Sequence, residues 1–112
     1  MKIVDYKTAG LLTTPHKVDA SKLYDTKNAT VIHITLKPGE HLLPHITPVD
    51  VFFYILEGNP TIQVGKKRIE VAKDNLIESP AKIKHCIFNE TDKVARILVV
   101  KVPRPKQKTI IL

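Results

Sequence analysis

Five histidines are the residues of this chain best suited to chemistry. An imidazole ring exchanges protons near neutral pH and is also the side chain that most often binds metal ions. A histidine acquires such a role when two or three of them face one cavity, so their positions in the fold decide the matter. The histidines are His16, His33, His41, His45 and His85. The acidic residues that lie near them in sequence or in the expected fold are Glu40, Asp50, Glu57 and Glu78.

Other common kinds of site are absent from the sequence. It has no glycine-rich phosphate loop, no nucleophile elbow and no Cys-x-x-Cys pair. Its one cysteine, Cys86, excludes an internal disulfide, which suits a reducing compartment. Because Cys86 follows His85 directly, we expect it to face away from that histidine as a buried, inert thiol.

Apolar residues alternate with polar ones along most of the chain, which is typical of β-strands. The eight prolines are spread along the sequence and argue against long helices. Many short strands at close spacing predict an all-β sandwich or barrel. The predicted strands cover residues 32–36, 51–56, 61–64, 68–71, 96–100 and 109–112. One helical turn is predicted over 19–24, and a hairpin turn at 65–67.

Two segments resemble the conserved motifs of the cupin family. Residues 38–58 are similar to the first motif, with Gly39, His45 and Gly58 at the matching positions, and residues 80–89 are similar to the second, with Pro80, His85 and Asn89 in place. The resemblance implies an all-β, small jelly-roll barrel and a single domain over 1–112. The motif-bearing barrel would cover about 29–102, with strands at both ends flanking it.

The resemblance also implies a central cavity in which three histidines and one glutamate hold a divalent metal. His45 matches the first ligand and His85 the last, so these two are the candidate metal ligands. The chain departs from the family pattern at the other two positions, where Thr47 replaces a histidine and Val51 replaces the glutamate. Asp50 is offset by one residue, which in a strand points to the opposite face. Asp74 and Lys82 stand where glycines are expected.

Further groups would have to complete such a site. Thr47, with a hydroxyl that can hold a water, His41 and His33 are the candidate extra ligands. Zinc commonly takes four ligands and tolerates three plus water, whereas two histidines and a carboxylate suit non-haem iron. The metal is left open among Zn, Fe, Mn and Ni. His16, beside Pro15 in an expected loop, is predicted to be exposed to solvent.

The candidate cavity has apolar walls and a polar floor, as small-molecule pockets usually do. With Val51 at the ligand position, Phe53 and Ile55 lie on the same face of the strand and would line the cavity. The alternative is that these side chains fill the barrel and leave no pocket. The full set of candidate cavity residues is His45, Thr47, Val51, Phe53, Ile55, His85 and Asn89.

Charge and hydropathy limit the partners. The net charge is +7, but the basic residues are scattered and aromatic residues make up only 5%, so no nucleic-acid partner is expected. The longest apolar run, over 51–56, is far shorter than the roughly 18 residues of a membrane span. Without an apolar stretch at its start, the chain is expected in the cytoplasm. The apolar final strand is a sheet edge that a second copy would cover, which favours a homodimer.

Three functions remain open at this stage. The first is a cupin that binds a divalent metal and a small molecule, as an enzyme or otherwise. The second is a metal-free module that binds or senses a small ligand, and the net charge favours an anionic one. The third is a structural, dimerising domain with a filled interior. The fold alone does not choose among them.

Overall fold

The computed structural model describes residues 1–112 and contains ten β-strands and no helix. None of its segments is therefore a helix long and apolar enough to cross a bilayer. The strands are β1 (Asp19–Thr26), β2 (Ala29–Leu36), β3 (His45–Ile46), β4 (Asp50–Glu57), β5 (Thr61–Val64), β6 (Lys67–Glu70), β7 (Leu76–Ser79), β8 (His85–Phe88), β9 (Ala95–Val102) and β10 (Ile110–Ile111).

The strands form two five-stranded sheets that face each other. The first sheet has the order β1-β2-β9-β4-β7, and the second has the order β10-β3-β8-β5-β6. All strand pairs are antiparallel, and the chain passes repeatedly from one sheet to the other between β3 and β9. The predictions of an all-β class and of a small jelly-roll barrel are confirmed.

Of two local predictions, a helical turn over 19–24 and a hairpin turn at 65–67, only the second is correct. The helical turn predicted over 19–24 is wrong, because this segment is β1, which pairs with β2 along its whole length. Ala20 and Lys22 both line the same cavity, as residues two apart in a strand do. The predicted turn after β5 is correct: Gly65 has φ of 61° and joins β5 to β6.

Side chains of the first sheet form aligned rows on its inner face, because residues that pair across antiparallel strands point to the same side. The central row is Lys22, Ile32, Val99 and Phe53. The row above it is Ala20, Ile34, Ile97 and Ile55, and the row below it is Thr30, Lys101, Val51 and Ser79. The core is thus apolar at one end and polar at the other.

Of the four glycines, Gly58 lies closest to neighbouring backbone. Its φ is 80°, and a Cβ atom built there would lie 2.5 Å from the carbonyl oxygen of Val94. A methyl group at this position meets rigid backbone and also forces an unfavourable left-handed conformation. Gly39 has a similar φ of 84°, but nothing lies within 4 Å of its Cβ position.

The substitution Gly58→Ala should therefore destabilise the fold more than Gly39→Ala does. We expect Gly58→Ala to lower the free energy of unfolding by about 3 kcal/mol, and Gly39→Ala by about 1 kcal/mol, since only the first adds a backbone clash to the strain. Urea unfolding of the two variants measures both values. Equal losses would show that the close approach at Gly58 is not present in solution.

Candidate functional site

Two histidines from the second sheet meet inside the barrel. His45 on β3 and His85 on β8 are cross-strand partners, and their Nε2 atoms lie 2.9 Å apart. Both rings are buried, with exposed fractions of 7% for His45 and 2% for His85. The Phe53 ring contacts His85 edge-on, with 5.3 Å between the ring centroids.

The hydrogen-bond partners fix which nitrogen of each ring carries a proton. The carbonyl oxygen of Leu43 lies 2.7 Å from Nδ1 of His45 and can only accept, so this Nδ1 donates. In a neutral His45 ring, Nε2 is then an acceptor, and the bond between the two histidines requires His85 to donate from its own Nε2. Nδ1 of His85 is left as an acceptor for the Ser79 hydroxyl, at 2.7 Å.

Thr47 belongs to the same network. Its hydroxyl oxygen lies 3.3 Å from Nε2 of His85 and shares the proton that this nitrogen donates to His45. Thr47 is 1% exposed, so it supports His85 from within the core. Ser79 was not a candidate from sequence, although its inward position follows from its pairing with Val51.

His16 joins this group, which corrects the prediction that it is exposed to solvent. Its ring lies 4.8 Å from that of His45, and its Nδ1 accepts a hydrogen bond of 2.8 Å from the backbone N–H of Leu43. The Leu43 residue thus holds both rings, one through its N–H and one through its carbonyl. In a neutral His16 ring Nε2 carries the proton, and this atom has no partner within the chain and is not buried.

All three rings favour the neutral form. Burial, followed by the charges of His45, Lys101 and His16, lowers the pKa of His85 to about 3. Burial, followed by His45 and Lys101, lowers the pKa of His16 to about 4. Burial also lowers the pKa of His45, although its bond to the Leu43 carbonyl opposes the change. The network is therefore uncharged at neutral pH.

A cavity of about 470 Å³ opens beside this network, between the inner face of the first sheet and the N- and C-terminal segments. His16 and His45 reach it, whereas His85 lies behind His45. The other polar residues of the lining are Thr13, Thr14, Lys22, Lys101, Lys108 and Thr109, and the apolar ones include Leu12, Ile32, Ile34, Leu42, Phe53, Val99 and Ile111.

The lining is cationic and contains no carboxylate. Its 17 residues include three lysines and two histidines but no aspartate or glutamate. Lys22 pairs with Asp25 at 3.3 Å, but Lys101 and Lys108 form no ion pair in the structure. Burial, and then the charge of Lys22, lower the pKa of Lys101.

The side chains around the histidine pair do not fit a resident divalent metal. No group of three or more His, Cys, Asp or Glu side chains is arranged to hold one. The Nε2 atoms of His45 and His85 are hydrogen-bonded to each other. The ammonium group of Lys101 lies close enough to contribute to the lowered pKa of both rings. A further positive charge would be placed among cations with no carboxylate to offset it.

The predicted extra ligands His33 and His41 lie away from the pair, which corrects the candidate ligand set. His33 is on the outer face of the first sheet, where Tyr6 stacks on it at 4.0 Å and Arg96 donates to its Nε2 at 3.1 Å. His41 is exposed, and its ring stacks on Phe88 with 6.0 Å between centroids. Each therefore has a local structural role.

The other predicted cavity residues are also distributed differently. Phe53 lines the cavity, but Val51 and Ile55 are buried in the core and do not reach it. The Asn89 side chain is fully used within the chain: its amide donates to the carbonyls of Leu36 and Lys93, and its oxygen accepts from Thr91. Asn89 therefore fastens a loop and faces no ligand.

Two neighbours of the candidate residues behave as expected from sequence. Asp50 is exposed and accepts a hydrogen bond of 2.8 Å from the backbone N–H of Ala81, so it caps a turn and points away from the histidines. Cys86 is buried on the side opposite His85, near Gln63, and burial raises the pKa of its thiol.

Of the predicted cavity residues only His45 and Phe53 line the cavity, and the missed lining residues that matter most to the site are His16 and Lys101. Lys101 carries a readable signal, since it follows Ile97 and Val99 at the period of a strand and so continues their inward face. His16 carries none, because a loop residue has no periodicity to reveal what it faces. Only the path of the chain brings it to the Leu43 backbone.

The buried neutral histidines predict that the fold loses stability in weak acid. Their folded pKa values lie below the value of 6.5 for a free ring, reaching about 4 for His16 and about 3 for His85. Below about pH 6.5 the unfolded chain therefore binds more protons, and stability is lost as the pH falls towards the folded pKa. For His85 the slope should rise as the pH falls and approach about 1.4 kcal/mol per pH unit near pH 5, where the unfolded ring is almost fully protonated. His16 should contribute less, because solvent screens its half-buried ring.

Urea unfolding across this range measures the slope. The variant His16→Asn should have a shallower slope than the wild type, because it lacks one of the rings that the fold keeps neutral. A free energy of unfolding that stays constant between about pH 7 and pH 5 would contradict the neutral, buried network.

Comparisons with known proteins agree with this architecture. The chain is 28% identical to the TT1209 protein of Thermus thermophilus, whose structure superposes with a TM-score of 0.80 over 94% of this chain and 100% of that one. An RmlC-like cupin family protein of Methanocaldococcus jannaschii is 24% identical, with a TM-score of 0.80 over 95% of this chain and 94% of that one.

The polyketide cyclase RemF of Streptomyces resistomycificus is 20% identical, with a TM-score of 0.84 over 100% of this chain and 85% of that one. At the identities of the last two proteins the likeness extends to the fold alone. No curated protein matches the sequence. Residues 32–101, more than half of the chain, match the family model described as the cupin domain, and this chain therefore belongs to the cupin domain family.

Proposed function

We propose that this cupin binds a small organic anion with an apolar body, and that it does so without a metal. The observation that carries the proposal is the unpaired ammonium group of Lys101 on the inner face of the barrel, in a cavity whose lining has no carboxylate. The Lys101 side chain is partly buried and has no carboxylate partner, and an anionic ligand would supply the missing opposite charge.

The strength of the attraction supports the proposal. Two opposite unit charges about 4 Å apart attract by about 4 kcal/mol at the effective dielectric constant of a protein surface. Lys101 is partly buried, so solvent screens it less than it screens the other lysines. Lys108 also lines the cavity and is unpaired, which adds a second cation for a carboxylate.

The walls of the cavity indicate the chemistry of the ligand's remaining part, its body. Eight of the 17 lining residues are hydrophobic. Five of them lie on the inner face of the first sheet, namely Ala20, Ile32, Ile34, Phe53 and Val99. The volume of about 470 Å³ equals that of roughly fifteen water molecules at their share of the liquid. A carboxylate carried on an aromatic or branched aliphatic body matches this division into a cationic end and an apolar wall.

His16 supplies a hydrogen-bond donor that can orient the ligand. Its Nε2–H is free and lies beside the cavity, so it can donate a hydrogen bond to a ligand oxygen. The network behind it keeps the ring neutral and correctly oriented, because the Leu43 N–H occupies Nδ1.

Two of the earlier predictions stay predictions beside this proposal, namely a homodimer and a cytoplasmic location.

Binding of 3-phenylpropionate, measured by titration calorimetry in the presence of a chelator, tests the proposal. The wild-type protein should bind it, and the variant Lys101→Met should bind about tenfold more weakly, a difference of about 1.4 kcal/mol. The neutral amide of the same acid should bind more weakly than the acid, because it lacks the charge that Lys101 attracts.

The matched control is Lys66→Met, which removes a charge from the exposed turn between β5 and β6 and should leave the affinity unchanged. Equal affinities for Lys101→Met and the wild type would refute the role of Lys101. Binding that disappears with the chelator and returns with Zn, Fe, Mn or Ni would instead support a metal-dependent cupin.

A further inference from the structure

Lys101 is partly buried, whereas the other lysines are exposed, and it has no acidic partner. It pairs across the sheet with Thr30 and Val51, both buried, so its side chain starts on the inner face. The nearby carboxylate of Asp25 is already occupied by Lys22, Thr30 and Arg104. A carboxylate close to a lysine stabilises its ammonium form, and Lys101 has no such partner.

We propose that Lys101 is a nucleophilic amine that forms an imine with the carbonyl group of the bound anion, which makes 2-oxo acids the preferred ligand class. This inference rests on the proposed function, because the anion must first be held in the cavity. It goes further by assigning a covalent step to one residue and a second functional group to the ligand.

The two unpaired amines of the lining match the two groups of a 2-oxo acid. Lys108 is free to hold the carboxylate, while Lys101 lies deeper, between β2 and β4, and can reach the adjacent carbonyl carbon. Burial and the charge of Lys22 lower the pKa of Lys101, which increases the fraction of free amine at neutral pH. A desolvated lysine beside a second cation is a recognised form of activated amine.

The step balances without an oxidant or reductant. The nitrogen lone pair of Lys101 attacks the carbonyl carbon, a C–N bond forms, and the C=O π pair moves to the oxygen, which takes up a proton. The nitrogen then expels this oxygen as water after a second protonation, and the C=N bond forms. Starting from the ammonium form, one carbonyl compound is consumed, one water leaves, and the product is a protonated imine.

Histidines lie where this step needs to move protons. His16 presents its Nε2–H to the cavity and can donate a hydrogen bond to the carbonyl oxygen, which favours attack on the carbon. His45 also lines the cavity, and its hydrogen bond to His85 connects it to the Ser79 hydroxyl. No carboxylate in the lining competes for the amine.

Reductive trapping with phenylpyruvate and cyanoborohydride tests the inference. We expect the wild-type chain to gain one reduced adduct, and peptide mapping to place it on Lys101 in excess of every other lysine. The variant Lys101→Arg keeps the positive charge but cannot form an imine, so it should lose this adduct while still binding the acid. The variant Lys66→Arg is the matched control and should retain the adduct.

Parallel calorimetry with 3-phenylpropionate, which has no ketone, separates the two proposals. If 3-phenylpropionate and phenylpyruvate both bind and no adduct is trapped on Lys101, the imine is overturned and anion binding stands. Adducts spread equally over Lys101 and exposed lysines such as Lys66 also overturn it. If neither acid binds, both proposals fail.

Discussion

An unpaired positive charge inside the barrel is the constraint on which the rest of the site depends. β9 lies between β2 and β4, so the strand period sends Ile97, Val99 and Lys101 to the inner face together. The first two complete the apolar core, and the third places an ammonium group at its polar end. No carboxylate lines the adjoining cavity, so no side chain there offsets this charge.

The histidine network is compatible with that charge. Burial, reinforced by the charge of Lys101, lowers the pKa of all three rings and keeps them neutral, and the Leu43 backbone and Ser79 order their protons. Every buried polar side-chain atom in the protein has a partner, so the network carries no unsatisfied group. Each of these hydrogen bonds contributes about 1 kcal/mol, and together they fix the wall of the cavity.

This arrangement separates the chain from the metal-binding pattern that its sequence motifs resemble. His45 and His85 occupy the positions of two ligands, but Thr47 and Val51 remove the other two, and Val51 is buried beside Lys101 in the same inner row. Lys101 therefore places a positive charge beside the position where the family pattern has a carboxylate. The proposed preference for anions rests on this reversal of charge.

Strand periodicity was sufficient to predict the all-β scaffold, and the resemblance to the cupin motifs implied that His45 and His85 share one interior. Asp74 and Lys82, which stand where the resemblance expects glycines, have left-handed φ values of 70° and 66°. The sequence was insufficient for His16, whose contacts depend on where a long loop returns to the barrel. It also misplaced Asn89, whose amide is satisfied by loop carbonyls that no pattern reveals.

The most direct test is a crystal structure of the protein grown with 3-phenylpropionate and a chelator. The ligand carboxylate should lie within hydrogen-bonding distance of Lys101 Nζ, with the phenyl ring against Ile32 and Val99. A cavity that holds only solvent under these conditions, or a carboxylate bound elsewhere while Lys101 Nζ pairs with a side chain of the protein, would contradict anion binding at this site.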